Sequence, residues 1–429
     1  MSQLLQAEFA SIPDLIHQHA LKAPARRALV EGSQAMDYAA LDGMMNRVAA
    51  SLQRDGLKPG DAIAICAATS VDYSAVFLGA LRAGVVVAPL APGSTPDSLK
   101  RMMTDASARL VFTDASCASL VGPQDMTTAT GALARIALDG STAGVSLNDW
   151  LVPAGQNPAA VALEPSWPFN IIYSSGTTGE PKGIVQSHGM RWTHVRRGGT
   201  YQYGPDTVTL LSTPLYSNTT LVVFFPTLGF GGTVVLMPKF DAAGYLQLAQ
   251  AHRVTHTMLV PVQYQRLMAR PDFDVHDLSG FKFKFSTSAP FNAAIKADVL
   301  KRWPGGLIEF YGMTEGGGTC ILEAHLNPSK LHTVGRPADN HDIRLIDDDG
   351  REVAAGEAGE VVGHSAGMMT GYHGQPEKTR EAEWFDASGK RFIRTGDVGR
   401  FDAEGFLTLF DRKKDMVISG GFNVYPSDL

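Results

Sequence analysis

The sequence predicts an α/β protein, with two mostly parallel sheets side by side, flanking helices, and then a small antiparallel β-barrel. Three observations predict it. Short apolar runs alternate with helical periods through the first third of the chain, and a second alternation of the same kind begins near residue 170. From about His341 the pattern changes to short strands joined by tight turns. Apolar runs separated by helices imply parallel strands covered on both faces. Alternation punctuated by Asp349-Gly350 and Glu404-Gly405 implies antiparallel pairing.

In the first alternation, 62–66, 85–88 and 110–112 read as strands, and 72–82 and 96–105 as helices. A loop-rich stretch, 117–168, precedes the second set of strands at 171–173, 209–211, 233–237, 256–260, 282–286 and 308–311. Residues 207–237 carry no charged side chain, as a membrane span would, but Pro226, Gly229, Gly231 and Gly232 interrupt them. They read as a buried helix, a turn and a buried strand. Later strands are expected at 343–346, 359–362 and 406–409. These patterns divide the chain into 1–165, 166–340, 341–410 and 411–429, the last reading as the opening of a further unit.

At 429 residues the chain is too long for one ordinary core, and 44% apolar against 19% charged residues is a globular composition. The net charge of −6 comes without a basic patch, which argues against a nucleic-acid or anionic-membrane partner. Cys66, Cys117 and Cys320 have no paired or metal-ligand spacing, and Glu8 and Asp14 sit where a leader would be apolar. Both point to a reduced, cytoplasmic protein. Oligomeric state is not legible.

The most informative segment is Tyr173-Ser174-Ser175-Gly176-Thr177-Thr178-Gly179-Glu180-Pro181-Lys182-Gly183, directly after an apparent buried strand. Three glycines let backbone N–H groups turn toward one point, four hydroxyls add donors, and Lys182 adds a mobile cation. That combination is a phosphate cradle. The spacing of Gly176, Gly179 and Lys182 is not that of the Walker loop.

This segment resembles the signature of the adenylate-forming enzymes, the group containing acyl-CoA ligases, peptide-synthetase adenylation domains and luciferases. The resemblance recurs in order at Phe310-Tyr311-Gly312-Met313-Thr314-Glu315, at Gly371-Tyr372 to Thr379, at Arg394-Thr395-Gly396-Asp397, and from Asp411-Arg412 to Pro426. It implies ATP-dependent conversion of a carboxylic acid to an acyl-AMP with loss of pyrophosphate, then transfer to the thiol of coenzyme A. Mg²⁺ is the implied metal. By resemblance, Thr177, Thr178 and Lys182 hold the departing phosphates, Thr314 donates to the α-phosphate, and Glu315 binds Mg²⁺. Asp397 accepts from the ribose hydroxyls, Arg412 adds a charged contact, and Tyr311 faces Ser288-Ala289-Pro290 across adenine. Lys414 is the hinge position.

The family's small C-terminal domain and its Gly-Lys lysine would follow Leu429, so a truncated form with impaired adenylation is expected. Where peptide synthetases carry an aromatic-Asp pair, this chain has Tyr216-Ser217, which disfavours an amino-acid substrate. Many acyl-CoA ligases carry His at the position of Ser217, a second departure. The acyl pocket is expected to involve Tyr216, Ser217, Asn218, Gln263, Ser286, Thr287 and Gly316-Gly317-Gly318. None is charged, which favours an uncharged monocarboxylate. The glycines would leave room for an aromatic, alicyclic or medium-chain acid. Alternatives are a carrier-protein thiol as acceptor, and a non-catalytic protein that binds nucleotide or acyl-adenylate.

Overall fold

The computed structural model describes residues 3–121, 127–128, 131–132, 134–174, 181–412, 417–419 and 422–424. The architecture is α/β, with two parallel-rich sheets, flanking helices and an antiparallel sheet. The chain forms two compact units, 1–255 with 370–374, and 256–369 with 375–429.

In the first unit the apolar runs become the buried centre of an eight-stranded sheet. Ala62–Cys66 lies between Val86–Pro89 and Ala108–Thr113, all parallel. Pro168–Ser174 continues the sheet parallel to Val86–Pro89, and Lys182–Ser187 turns back antiparallel beside it. Ser70 caps the crossover helix Val71–Arg82 by accepting the Tyr73 N–H, and Thr95 caps Pro96–Asp105 in the same way through Ser98. The stretch read as loop contributes two further strands, Ala134–Ala137 and, at the edge, Val145–Ser146, and a short helix, Leu147–Trp150. Small residues hid these strands: Ala134–Ala137 pairs in parallel with Ala108–Thr113, and Val145–Ser146 in parallel with Ala134–Ala137. The charge-free stretch forms the buried helix Asn218–Gly229 and the strand Thr233–Leu236. Among the described residues no helix is long and apolar enough to cross a membrane.

Sheet membership does not follow chain order. Arg27–Glu31 pairs in parallel with Thr233–Leu236, about two hundred residues later.

In the second unit, His256–Leu259, Phe283–Ser286 and Gly306–Gly312 are parallel, and Thr319–Glu323 turns back antiparallel. The expected barrel is an antiparallel sheet among the described residues. Its long strand Arg391–Phe401 pairs with Gly359–His364, Glu383–Phe385 and Leu407–Arg412. Gly396, at φ +75°, lies where the pairing of that strand with Gly359–His364 shifts register, so one partner follows it on both sides of an irregularity.

His188 opens the helix His188–Arg197 and is buried, its ring edge-on to Phe169 at 4.9 Å. Burial lowers its pKa to about 4, so it is neutral at pH 7. The unfolded chain takes up the proton near pH 6.5 and the folded chain only near 4, so stability is present above that window and falls as pH drops through it. Between pH 7 and 5 this group should cost about 2 kcal/mol. Urea titrations of wild type and His188→Phe should differ by about that much in their pH dependence, and parallel curves would remove the assignment.

Candidate functional site

In the first unit, one hairpin carries the phosphate-loop ends. Tyr173 pairs with Gly183 and Ser174 with Lys182, so the first and last polar residues of the motif lie side by side. Ser175, Gly176, Thr177, Thr178 and Gly179 lie outside the described residues. The Lys182 ammonium stands 5.1 Å from the centre of the Tyr372 ring, a contact that holds a flexible cation without neutralising it. The Tyr173 hydroxyl donates to Asp105 at 2.6 Å, and the same carboxylate oxygen lies 3.6 Å from His373 Nδ1. Asp105 raises the His373 pKa, while burial and then Asp105 raise that of Tyr173. The His373 N–H donates to Gly183 O at 2.7 Å. Sequence reasoning did not single out Asp105, Tyr173 as an anchor, or His373.

Of the acyl-pocket candidates in this unit, Ser217 caps Asn218–Gly229 through the Thr219 N–H, and Asn218 is that helix's first residue. Tyr216 is half-buried, which raises its pKa.

The second unit holds the remaining candidates. Tyr311 and Gly312 end the strand Gly306–Gly312, and a turn follows, closed by the Gly316 N–H to Met313 O at 3.0 Å. Thr314 and Glu315 sit half-buried in that turn, and the Glu315 carbonyl accepts the Met369 N–H at 2.7 Å. The Tyr311 hydroxyl donates to Asp397 Oδ2 at 2.8 Å, and the Asp397 N–H donates to Thr395 Oγ1 at 3.0 Å. Burial, then the Asp397 charge, push the Tyr311 phenol well up, so it remains a donor. Arg412 stands opposite Asp397 in strand register, and Lys414 lies outside the described residues.

Ser288, Ala289 and Pro290 form an exposed turn in which Ser288 takes a left-handed φ of +80°. Such a conformation in a non-glycine residue is strained and is often kept for function. Thr287 is half-buried, the Ser286 hydroxyl is buried without a hydrogen-bond partner among the described residues, and Gln263 uses its side-chain oxygen on the Val260 N–H at 3.0 Å. Among the described residues no cluster of three or more His, Cys, Asp or Glu could hold a metal by itself. A single carboxylate such as Glu315 suits Mg²⁺, which fills its shell mainly with phosphate oxygens and water.

Gly317 and Gly318 do not open space as expected. A Cβ on Gly317 would stand 2.6 Å from Ile393 Cβ and 3.0 Å from Gly363 O, and one on Gly318 would collide with Ile343. A Cβ on Gly363 would in turn lie 2.6 Å from Gly317 O. The missing side chains let two backbones cross closely, and their volume is already filled by protein.

A family model described as AMP-binding enzyme matches residues 16–373. A feruloyl-CoA synthase of Amycolatopsis sp. is 32% identical over 96% of this chain and 80% of its own. An indoleacetate–CoA ligase of Aromatoleum aromaticum is 29% identical over 97% of this chain and 81% of its own. The structure of a Mycobacterium tuberculosis fatty acyl CoA synthetase superposes with a TM-score of 0.83 at 29% identity, covering 97% of this chain and 81% of the other.

Gly317→Ala should lower the unfolding free energy by about 1–3 kcal/mol in a urea titration, because neither Ile393 Cβ nor the Gly363 backbone can swing aside. Unchanged stability would return the glycine run to the acyl pocket.

Proposed function

The chain belongs to the AMP-binding enzyme family, and we propose that within it the protein is an acid–thiol ligase, activating an uncharged monocarboxylate with ATP and passing the acyl group to coenzyme A. The pairing of Ser174 with Lys182 carries this reading, because it fixes both ends of a hydroxyl- and glycine-rich segment beside one cation.

A carboxylate is a poor acyl donor because its oxygen does not leave. Attack of that oxygen on the α-phosphorus of ATP expels pyrophosphate and leaves an acyl-AMP, whose phosphate is a good leaving group for the thiolate that follows. Such transfers depend on positioning and charge neutralisation. Thr177, Thr178 and Lys182 hold the departing β- and γ-phosphates, and Thr314 donates to the α-phosphate. Glu315 would hold Mg²⁺, which would supply positive charge to the phosphate oxygens. Asp397 accepts from the ribose hydroxyls, Arg412 adds its charge, and Tyr311 and the Ser288-Ala289-Pro290 turn hold adenine. The hydrogen bond from Tyr311 to Asp397 supports two of these roles at once: it ties one carboxylate oxygen and the phenol to a shared place.

The relatives named for feruloyl and indoleacetyl substrates support an aromatic acid, and the fatty acyl synthetase supports an aliphatic chain. ATP–pyrophosphate exchange over a panel of carboxylic acids tests the activity. No exchange with any acid of the panel, together with acyl-adenylates that bind no more tightly than AMP, would leave a nucleotide-binding protein instead.

Asp397→Ala should weaken AMP binding by about 1–3 kcal/mol, roughly 5- to 150-fold, in isothermal titration. Tyr311→Phe keeps the ring and loses only the carboxylate anchor, so its loss should be smaller. An unchanged dissociation constant for Asp397→Ala would remove the ribose assignment.

A further inference from the structure

Arg191 lies on the helix His188–Arg197 with no exposed surface, and among the described residues no carboxylate pairs with it. Its five N–H groups are all used. Nε donates to Asn170 Oδ1 at 3.1 Å, and Nη2 donates to the same oxygen at 3.1 Å and to Gln186 Oε1. Nη1 donates to Asn218 Oδ1 at 2.8 Å and meets His194 Nδ1 at 3.5 Å. The rings of Phe169 and Phe225 face the guanidinium, each centred 5.8 Å from it. Burial pulls its pKa down to about 9, so it stays charged at neutral pH.

A guanidinium has donors and no acceptor, so every amide beside it must present its oxygen. The orientation of each amide is thereby fixed by chemistry. Asn170 and Gln186 close on each other, Asn170 Nδ2 donating to Gln186 Oε1 at 3.1 Å. Asn218 differs. Its oxygen is taken by Arg191 and, at 3.5 Å, by Gln186 Nε2, while its own amide nitrogen has no acceptor among the described residues. Asn218 is only half-buried, so that nitrogen is not sealed in the interior.

We propose that Arg191 is a positioning residue that locks Asn218 as a fixed hydrogen-bond donor, and that Asn218 thereby selects carboxylic acids carrying a neutral oxygen acceptor, such as an ether, carbonyl or phenol oxygen, on the acyl portion. This rests on the placement of Asn218 in the acyl pocket. A free asparagine amide offers a donor or an acceptor by flipping, whereas an amide held by a guanidinium offers only a donor. The buried positive charge also polarises the amide and strengthens its N–H groups.

The test uses non-hydrolysable acyl-sulfamoyl adenosines and isothermal titration, so no turnover is needed. The acyl groups are arylpropenoyl and arylacetyl, with hydrogen, methyl, hydroxyl or methoxy at each ring position in turn. A medium-chain pair with and without a mid-chain ether oxygen completes the set. In wild type, at one position, hydroxyl and methoxy analogues should bind at least tenfold more tightly than the methyl analogue of similar size. Asn218→Leu should abolish that preference. Arg191→Met frees the amide to flip, so the acceptor-only methoxy analogue should lose its advantage while the hydroxyl analogue, which can also donate, keeps most of it. A purely structural arginine would not split those two ligands. Arg191→Lys should retain the wild-type order. If Arg191→Met does not fold, Arg191→Gln, uncharged and polar, takes its place with the same expected split, and an unchanged wild-type order there overturns the role of Arg191.

Analogues that bind equally well with and without oxygen overturn this proposal alone. A set in which none binds more tightly than AMP overturns the acyl-binding reading beneath it, and the proposal with it.

Discussion

The register of one hairpin governs the first unit. Because side chains alternate across a strand, a slip of one residue between Pro168–Ser174 and Lys182–Ser187 would exchange every facing side chain. Ser174 would no longer stand beside Lys182, Tyr173 would turn away from Asp105, and Asn170 and Gln186 would leave Arg191. Three separate contacts therefore hold one register: the Tyr173 hydroxyl on Asp105, the His373 N–H on Gly183 O, and the guanidinium on its amides. Each brings in a residue from outside the phosphate-loop motif, Asp105, His373 or Arg191, and so limits where the ends of that loop can be.

A comparable economy operates in the second unit, where a single hydrogen bond serves two residues assigned to the nucleotide. As the proposed ribose acceptor, Asp397 would need a fixed place, and Tyr311 supplies it through its hydroxyl. The bond in turn fixes the rotation of the Tyr311 side chain, whose ring packs beside the apolar group of Cys320, Leu345, Val361 and Leu407. A ring so wedged loses little entropy on stacking against a base, which is the preorganisation that ligand binding rewards. Thr395 completes the arrangement, donating to Val361 O at 2.8 Å while accepting the Asp397 N–H.

Much of this was legible because it depends on local pattern. Continuous apolar runs such as Ala62–Cys66 announced buried parallel strands, and motif spacing singled out Lys182, Glu315 and Asp397 as candidates. What escaped depends on pairing across long separations. Nothing near Arg27–Glu31 signals a partner at Thr233–Leu236, and Asp105 looks like any helix terminus until Tyr173 is laid against it. A signal for Arg191 was present. Asn170 and Gln186 interrupt two otherwise apolar strands, and a polar residue inside a strand buried on both faces needs a partner. The glycine run misled because glycine marks absent volume without saying what occupies it, and here it is Gly363, Ile393 and Ile343.

Arg191 also changes why an uncharged acid is favoured. Burying an unpaired cation is costly, and an apolar residue of similar size often serves stability as well or better, so packing alone does not account for it. Its charge reaches outward through Asn218. A full anion about 7 Å away would gain about 2 kcal/mol at an effective dielectric constant of about 20. Stripping water from a carboxylate costs several kcal/mol, and with all five guanidinium N–H groups occupied there is no direct donor to repay it. A neutral ether or phenol oxygen loses only about 1–3 kcal/mol on desolvation and recovers it through a polarised amide N–H. The balance falls to the neutral acceptor, because the arginine is close enough to sharpen the amide and too enclosed to pair with an anion.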